Sequence, residues 1–187
     1  MEARDMINTK ASLIALLFAF GCTGEVVVDG ASTSPPRDSG PAPTTDAGPR
    51  PPPPDGCGTA AEMEELRLTN AAREAAGVAP LICDPDLTAV ARAHSEDMCA
   101  RDYFDHTNPD GDGPSQRVSD AGLSHRGIGE NIAAGNASPA ATHEQWMNSS
   151  GHRANILNGA YTRIGIGYAS CSTGWPHLWT QVFARSN

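Results

Sequence analysis

From Thr59 onward the apolar positions follow helical spacing first and strict alternation last. Thr59 and Glu62 have the spacing of a capping box, in which each side chain satisfies a free backbone N–H of the first turn. Ala-rich sequence runs on to Ala76, and Gly77 is a suitable stop. A first helix is therefore predicted from Thr59 to Ala76. After Pro80 and the apolar pair Leu81-Ile82, Asp84 and Pro85 mark a second start as N-cap and first helical residue. Leu87, Val90, Ala91 and Met98 share one face of that helix. His94 lies on the same face, where a lone histidine reads as a satisfied core residue. Gly111, Gly113 and Pro114 break the chain before a short helix from Pro114 to Ala121. Ser138-Pro139 opens another that includes Trp146 and Met147.

Toward the C-terminus the period becomes two. Ile164, Ile166 and Tyr168 alternate with Gly165 and Gly167, and Trp179, Gln181 and Phe183 alternate with Leu178, Thr180 and Val182. Two strands joined by a loop containing Cys171, Gly174 and Pro176 follow from this pattern. Helices first and a late antiparallel pair predict an α/β layered sandwich, not a doubly wound sheet.

Upstream, the chain changes character twice. Residues Ala11 to Gly21 are apolar or small and end at Cys22, which suits a secretory leader and is too short to span a bilayer. Gly21-Cys22 has the form of a bacterial lipoprotein box, with Ala19 where that box prefers Leu. Residues 1–22 are thus expected to be a signal peptide, with lipidation at Cys22 favoured over plain secretion. Residues 23–56, with Pro51 to Pro54 unbroken, are expected to be a disordered Pro/Ser/Thr/Gly-rich tether, because they cannot bury enough apolar surface to offset ordering entropy. Residues 57–187 form the one folded domain.

With Cys22 set aside, Cys57, Cys83, Cys99 and Cys171 allow three pairings. Cys83–Cys99 is excluded, since the second helix would hold them about 24 Å apart. If the first two helices form an antiparallel hairpin, Cys57 lies near Cys99. The expected disulfides are then Cys57–Cys99 and Cys83–Cys171, in an oxidising compartment. The formal net charge of −9 comes with no basic stripe, which argues against nucleic acid as a partner.

Polar groups concentrate in Tyr103 to His106, in Gly129 to Ile132 and in Trp146 to Leu157. Two histidines and a carboxylate brought together can bind a divalent metal or move protons. The run Ala93 to Val118 (AHSEDMCARDYFDHTNPDGDGPSQRV), Gly129 to Gly135 (GENIAAG) and Trp146 to Ala169 (WMNSSGHRANILNGAYTRIGIGYA) resembles the bacterial branch of the CAP superfamily, that of cysteine-rich secretory proteins, antigen 5 and pathogenesis-related 1. Asn70 and Arg73 match its N-x-x-R element, and Trp179 to Phe183 its last strand. The resemblance implies a three-layer α-β-α sandwich with a small central antiparallel sheet and a large cleft.

It also implies that His106, Glu130 and His152 line the cleft. Ser149 stands where many eukaryotic members carry a Glu. In some members two histidines bind zinc, so His106 and His152 are the metal candidates here, for weak Zn2+ binding and no required cofactor. Asn131, Arg153 and Asn155 read as structural, and Trp146, Trp179, Tyr103 and Phe104 as core residues. The expected function is a secreted or lipid-anchored binding module for a small ligand, a lipid or sterol, or a cell-surface component. The expected state is a monomer that meets the membrane only through its N-terminal anchor. The alternatives are a metal-dependent or serine-type hydrolase in the same cleft, with Ser149 or Ser150 beside His152, and an inert surface scaffold.

Overall fold

The computed structural model describes residues 57–124 and 126–185. The expected leader, Cys22 and the tether lie outside the described residues. Nine elements follow one another: α1 (Ala60–Ala75), β1 (Ile82–Cys83), α2 (Pro85–Arg101), α3 (Pro114–Asp120), β2 (Ile128–Ala134), α4 (Pro139–Asn148), α5 (Ser150–Ile156), β3 (Arg163–Ser170) and β4 (His177–Ala184). The capping box at Thr59 and Glu62 is formed, and Asp84 caps α2 through the N–H groups of Asp86 and Leu87.

The strands make one sheet in the order β1-β3-β4-β2. β3 and β4 pair antiparallel, as the alternation predicts, and β2 pairs antiparallel with β4. The sheet is not purely antiparallel, because β1 pairs parallel with the start of β3. Helices cover both faces. Ile164, Ile166, Trp179 and Phe183 point to one side, where they pack with Trp146, Ile156 and Leu81 and carry α1, α4 and α5. Val182 and Ala184 point to the other, against Leu87, Val90, Ala91 and Val118 of α2 and α3. The three-layer α-β-α sandwich is therefore present.

Gly165 and Gly167 also face α2. A Cβ at Gly165 would collide with the Leu87 carbonyl, and one at Gly167 with the backbone of Ala91 and Arg92. Bare glycine backbone lets the helix lie directly on β3, and the two elements run in the same direction.

The disulfides differ from the expected pairing. They are Cys57–Cys83 and Cys99–Cys171, with Cα–Cα distances of 5.9 and 5.5 Å. The reason is that α1 and α2 do not form a hairpin. After Gly77 the chain runs back along α1 in extended form. Asn70 holds Leu81 through both its N–H and its carbonyl, and Arg73 Nε donates to Ala79 O. Six extended residues at about 3.3 Å each recover most of the roughly 24 Å length of α1, so Cys83 returns to the start of α1 beside Cys57. The chain then passes through the sheet edge as β1, and α2 runs along the other face. Its far end carries Cys99 to the end of β3, where Cys171 follows.

Candidate functional site

β2 is an edge strand, and alternate residues on it face opposite layers. Glu130 and Ile132 face α2 and α3, while Asn131 and Ala133 face α1, α4 and α5. The candidate residues gather around this edge.

His106 sits on the polar loop after α2. Asp102 ends the helix in the left-handed conformation, and Asn108 Oδ1 accepts the Asp110 and Asp112 N–H groups to close the turn. The loop sets His106 Nδ1 at 2.9 Å from Glu130 Oε1. Arg117 of α3 donates from Nη2 to the other oxygen, Oε2, at 2.6 Å. Burial by itself would raise the Glu130 carboxyl. The hydrogen bond from His106 and the nearby Arg117 charge outweigh it and hold the group below the usual carboxylate range. Glu130 is thus an ionised, fully committed acceptor.

His94 is the buried core histidine that the sequence suggests, but it also borders this cluster. Its Nε2 is 3.1 Å from Asp105 O and 3.9 Å from Glu130 Oε1. Burial pushes its pKa down to about 4, against the opposing pull of Glu130. The ring is therefore neutral at pH 7 and adds no charge.

His152, on α5, approaches from the other layer. Asn131 Nδ2 donates to its backbone carbonyl and to Gln181 Oε1, and Asn155 Nδ2 donates to Glu130 O and Asn131 Oδ1. These amides join α5, β2 and β4, which is the structural role read for Asn131 and Asn155. The His152 ring is buried, and neither ring nitrogen has a hydrogen-bond partner. Burial, with the charge of His106 as the lesser cause, lowers its pKa to about 4.

Ser149 is the residue between α4 and α5, and its hydroxyl makes no capping bond. Since both nitrogens of His152 are unpartnered, the Ser–His hydrogen bond of a nucleophile dyad is not made. Arg153 donates to Met147 O, and Trp146 and Trp179 are fully buried. Tyr103 and Phe104 pack partly buried against Met98, Ile132 and Leu178.

Among the described residues, no group of three or more His, Cys, Asp and Glu side chains is placed to hold a metal ion. The donor chemistry says why. Both Glu130 oxygens are taken, and both His152 nitrogens are shut from solvent. As they stand, His106, Glu130 and His152 do not fit a zinc ligand set.

Arg117 was missed from sequence as a member of the site, as was the His94 contact. Arg117 is the single cation of α3 and lies inside the Ala93–Val118 run, but only the fold shows that it reaches β2.

A three-layer sandwich with this polar group at its β2 edge defines the class of fold as an α-β-α domain. Residues 66–183 match the family model of the cysteine-rich secretory protein family, CAP, and the chain belongs to that family. It is 42% identical over 125 residues to YkwD of Bacillus subtilis strain 168, a match covering 67% of this chain and 47% of that protein. An extracellular protein containing an SCP domain from Bacillus anthracis superposes with a TM-score of 0.61 at 32% identity, over 66% of this chain and 40% of that one. An outer surface protein of Borrelia burgdorferi shares the fold, with a TM-score of 0.60 at 20% identity, over 66% of this chain and 94% of that one. The chain thus spans less than half the length of the two Bacillus relatives.

Proposed function

We propose that this chain is a binding module displayed at the cell envelope, held by a lipid on Cys22 and the Pro-rich tether. Its cleft of His106, Glu130 and His152, with Ser149 beside it, takes a small ligand with a hydrogen-bonding head, such as a lipid, a sterol or a cell-surface component. The domain acts as a monomer and uses no obligatory cofactor. An extracellular location is supported by the Bacillus anthracis relative and by two disulfides, which belong in oxidising compartments.

The observation that carries the binding reading is the His152 ring. A buried polar group without a partner costs about 1–3 kcal/mol, and this ring has two nitrogens in that state. A ligand group that meets them once the ring turns outward recovers that energy on binding. His106 lies near enough for its charge to act on His152, and its Nε2 is free of the Glu130 bond, which uses Nδ1. With His152 neutral, its ring offers one acceptor and one donor, which suits a hydroxyl or amide head. Zinc would need the His152 ring to turn outward, so any zinc binding is weak and reversible.

Native mass spectrometry of the purified full chain tests this directly. A co-purifying small molecule is expected, and it is lost in His106→Ala and in His152→Ala. A zinc titration is run on the same proteins. If both variants retain the parent's ligand and the parent's zinc response, the cleft has no binding role. The mass of the mature N-terminal peptide tests the anchor, and a mature chain without lipid on Cys22 rules it out.

A further inference from the structure

Arg117 is bonded to both His106 and Glu130 and to the loop between His106 and α3. Nη2 donates to Glu130 Oε2 at 2.6 Å, and Nη1 donates to the carbonyls of His106 and Asp112, each at 2.8 Å. Pro114 opens α3, so the guanidinium one turn later lies back over the loop that precedes the helix. His106 is consequently held twice by one group. Its backbone is held directly, and its ring is held through Glu130.

We infer that Arg117 is a positioning residue of the cleft, which fixes the nitrogen that His106 turns toward a ligand. A carboxylate accepts only, so Glu130 held by Arg117 requires the His106 proton on Nδ1 and leaves Nε2 as a bare acceptor. Without the guanidinium, the carboxylate loses both its fixed plane and its counter-charge. With that charge gone, burial favours the protonated Glu130 carboxyl, which donates to Nδ1 and leaves the ring proton on Nε2, so the ring offers a ligand a donor in place of an acceptor. Only a planar fork with several donors spans Glu130 and two loop carbonyls. A lysine keeps the charge but not the span. Arg117 depends on the proposed function only for the statement that His106 Nε2 faces a ligand.

The test uses 15N-labelled full chain at pH 8.5 with nothing added. Long-range 1H–15N spectra report the His106 tautomer, and amide exchange reports the loop from Asp105 to Asp112. The parent is expected to show the Nδ1–H form. Arg117→Met shifts His106 to Nε2–H or a mixture. Arg117→Lys keeps Nδ1–H, while the loop amides exchange about tenfold faster because the carbonyl bonds are lost. A parent in the Nε2–H form overturns the assignment. So does an Arg117→Met protein with the parent's tautomer, or Arg117→Lys with unchanged loop protection. Where Arg117→Met does not fold, Arg117→Gln gives the same tautomer readout under the same criterion. No ligand enters the experiment, so a cleft that binds nothing shows itself only in the histidine variants described above.

Discussion

Replacing Gly165 by alanine should lift α2 off the sheet. The new methyl would meet the carbonyl of Leu87 and the N–H of Thr88, all well inside 3.0 Å. These are backbone atoms of a helix, so no side chain can rotate out of the way. Ordinary contact begins at 3.4 Å, and the helix must retreat by about 1 Å or more. A gap of that size forfeits a quarter to a half of each dispersion well along the seam of Leu87, Val90 and Ala91. Overpacking of this kind costs about 3 kcal/mol. For a domain of this size that is roughly 10 °C in Tm, or about 1.5–2 M in urea midpoint. Gly159→Ala is the control, because its Cβ would meet nothing closer than Val78 Cγ1 at 3.9 Å. Urea unfolding of the parent and both variants decides the matter. A Gly165→Ala midpoint within about 0.5 kcal/mol of the parent would refute the close-approach argument.

Other outcomes follow from buried groups and cross-links. Peptide mapping under non-reducing conditions should return Cys57–Cys83 and Cys99–Cys171. Removing the second pair, which closes 72 residues, should cost about 4 kcal/mol, slightly more than removing the first, which closes 26. His94 stays neutral in the folded chain until about pH 4, while the unfolded chain takes up that proton near 6.5. The unfolded state therefore binds more protons between those values. Stability from this ring is complete above pH 6.5 and falls by at most about 3 kcal/mol as the pH drops to 4. Urea midpoints at pH 7.5, 5.5 and 4.5 should show a smaller slope in His94→Gln. Glu65 is wholly buried. Burial raises its carboxyl, against the hydrogen bond from His143 at 2.9 Å. Glu65→Val alone should destabilise by about 3 kcal/mol, and adding His143→Val should recover about 1 kcal/mol, because it removes one of the three partners, with Thr69 and Gln181, that Glu65 leaves stranded. An additive double mutant would show that the two groups are not coupled.

The helix starts were legible because capping chemistry is local. Thr59-Glu62 and Asp84-Pro85 need no tertiary information. β3 and β4 were legible because Ile164, Ile166, Trp179 and Phe183 all face one layer while the glycines and Val182 face the other. β2 does not announce itself as a strand. It is an edge strand with Glu130 and Asn131 at its centre, and their burial by partners on both faces masks the usual alternation. The cysteine pairing failed at one inference, that a short connection implies a hairpin. The bidentate hold of Asn70 on Leu81 turns that connection into an extended return, and nothing in the spacing signals it. In the site, His106, Glu130 and His152 came from motifs, whereas Arg117 and His94 enter only through long-range geometry.

The Cys57–Cys83 link also decides how the domain carries load. A pull entering at Cys57 passes across the sulfurs to Cys83 and bypasses α1 and the extended return behind it. The force reaches β1 and the start of α2, two elements bound to β3 in the same direction. Tension is then spread over ladder bonds and helix contacts loaded in shear, and α1 cannot be unwound from its end. A domain linked this way resists a pull applied at Cys57.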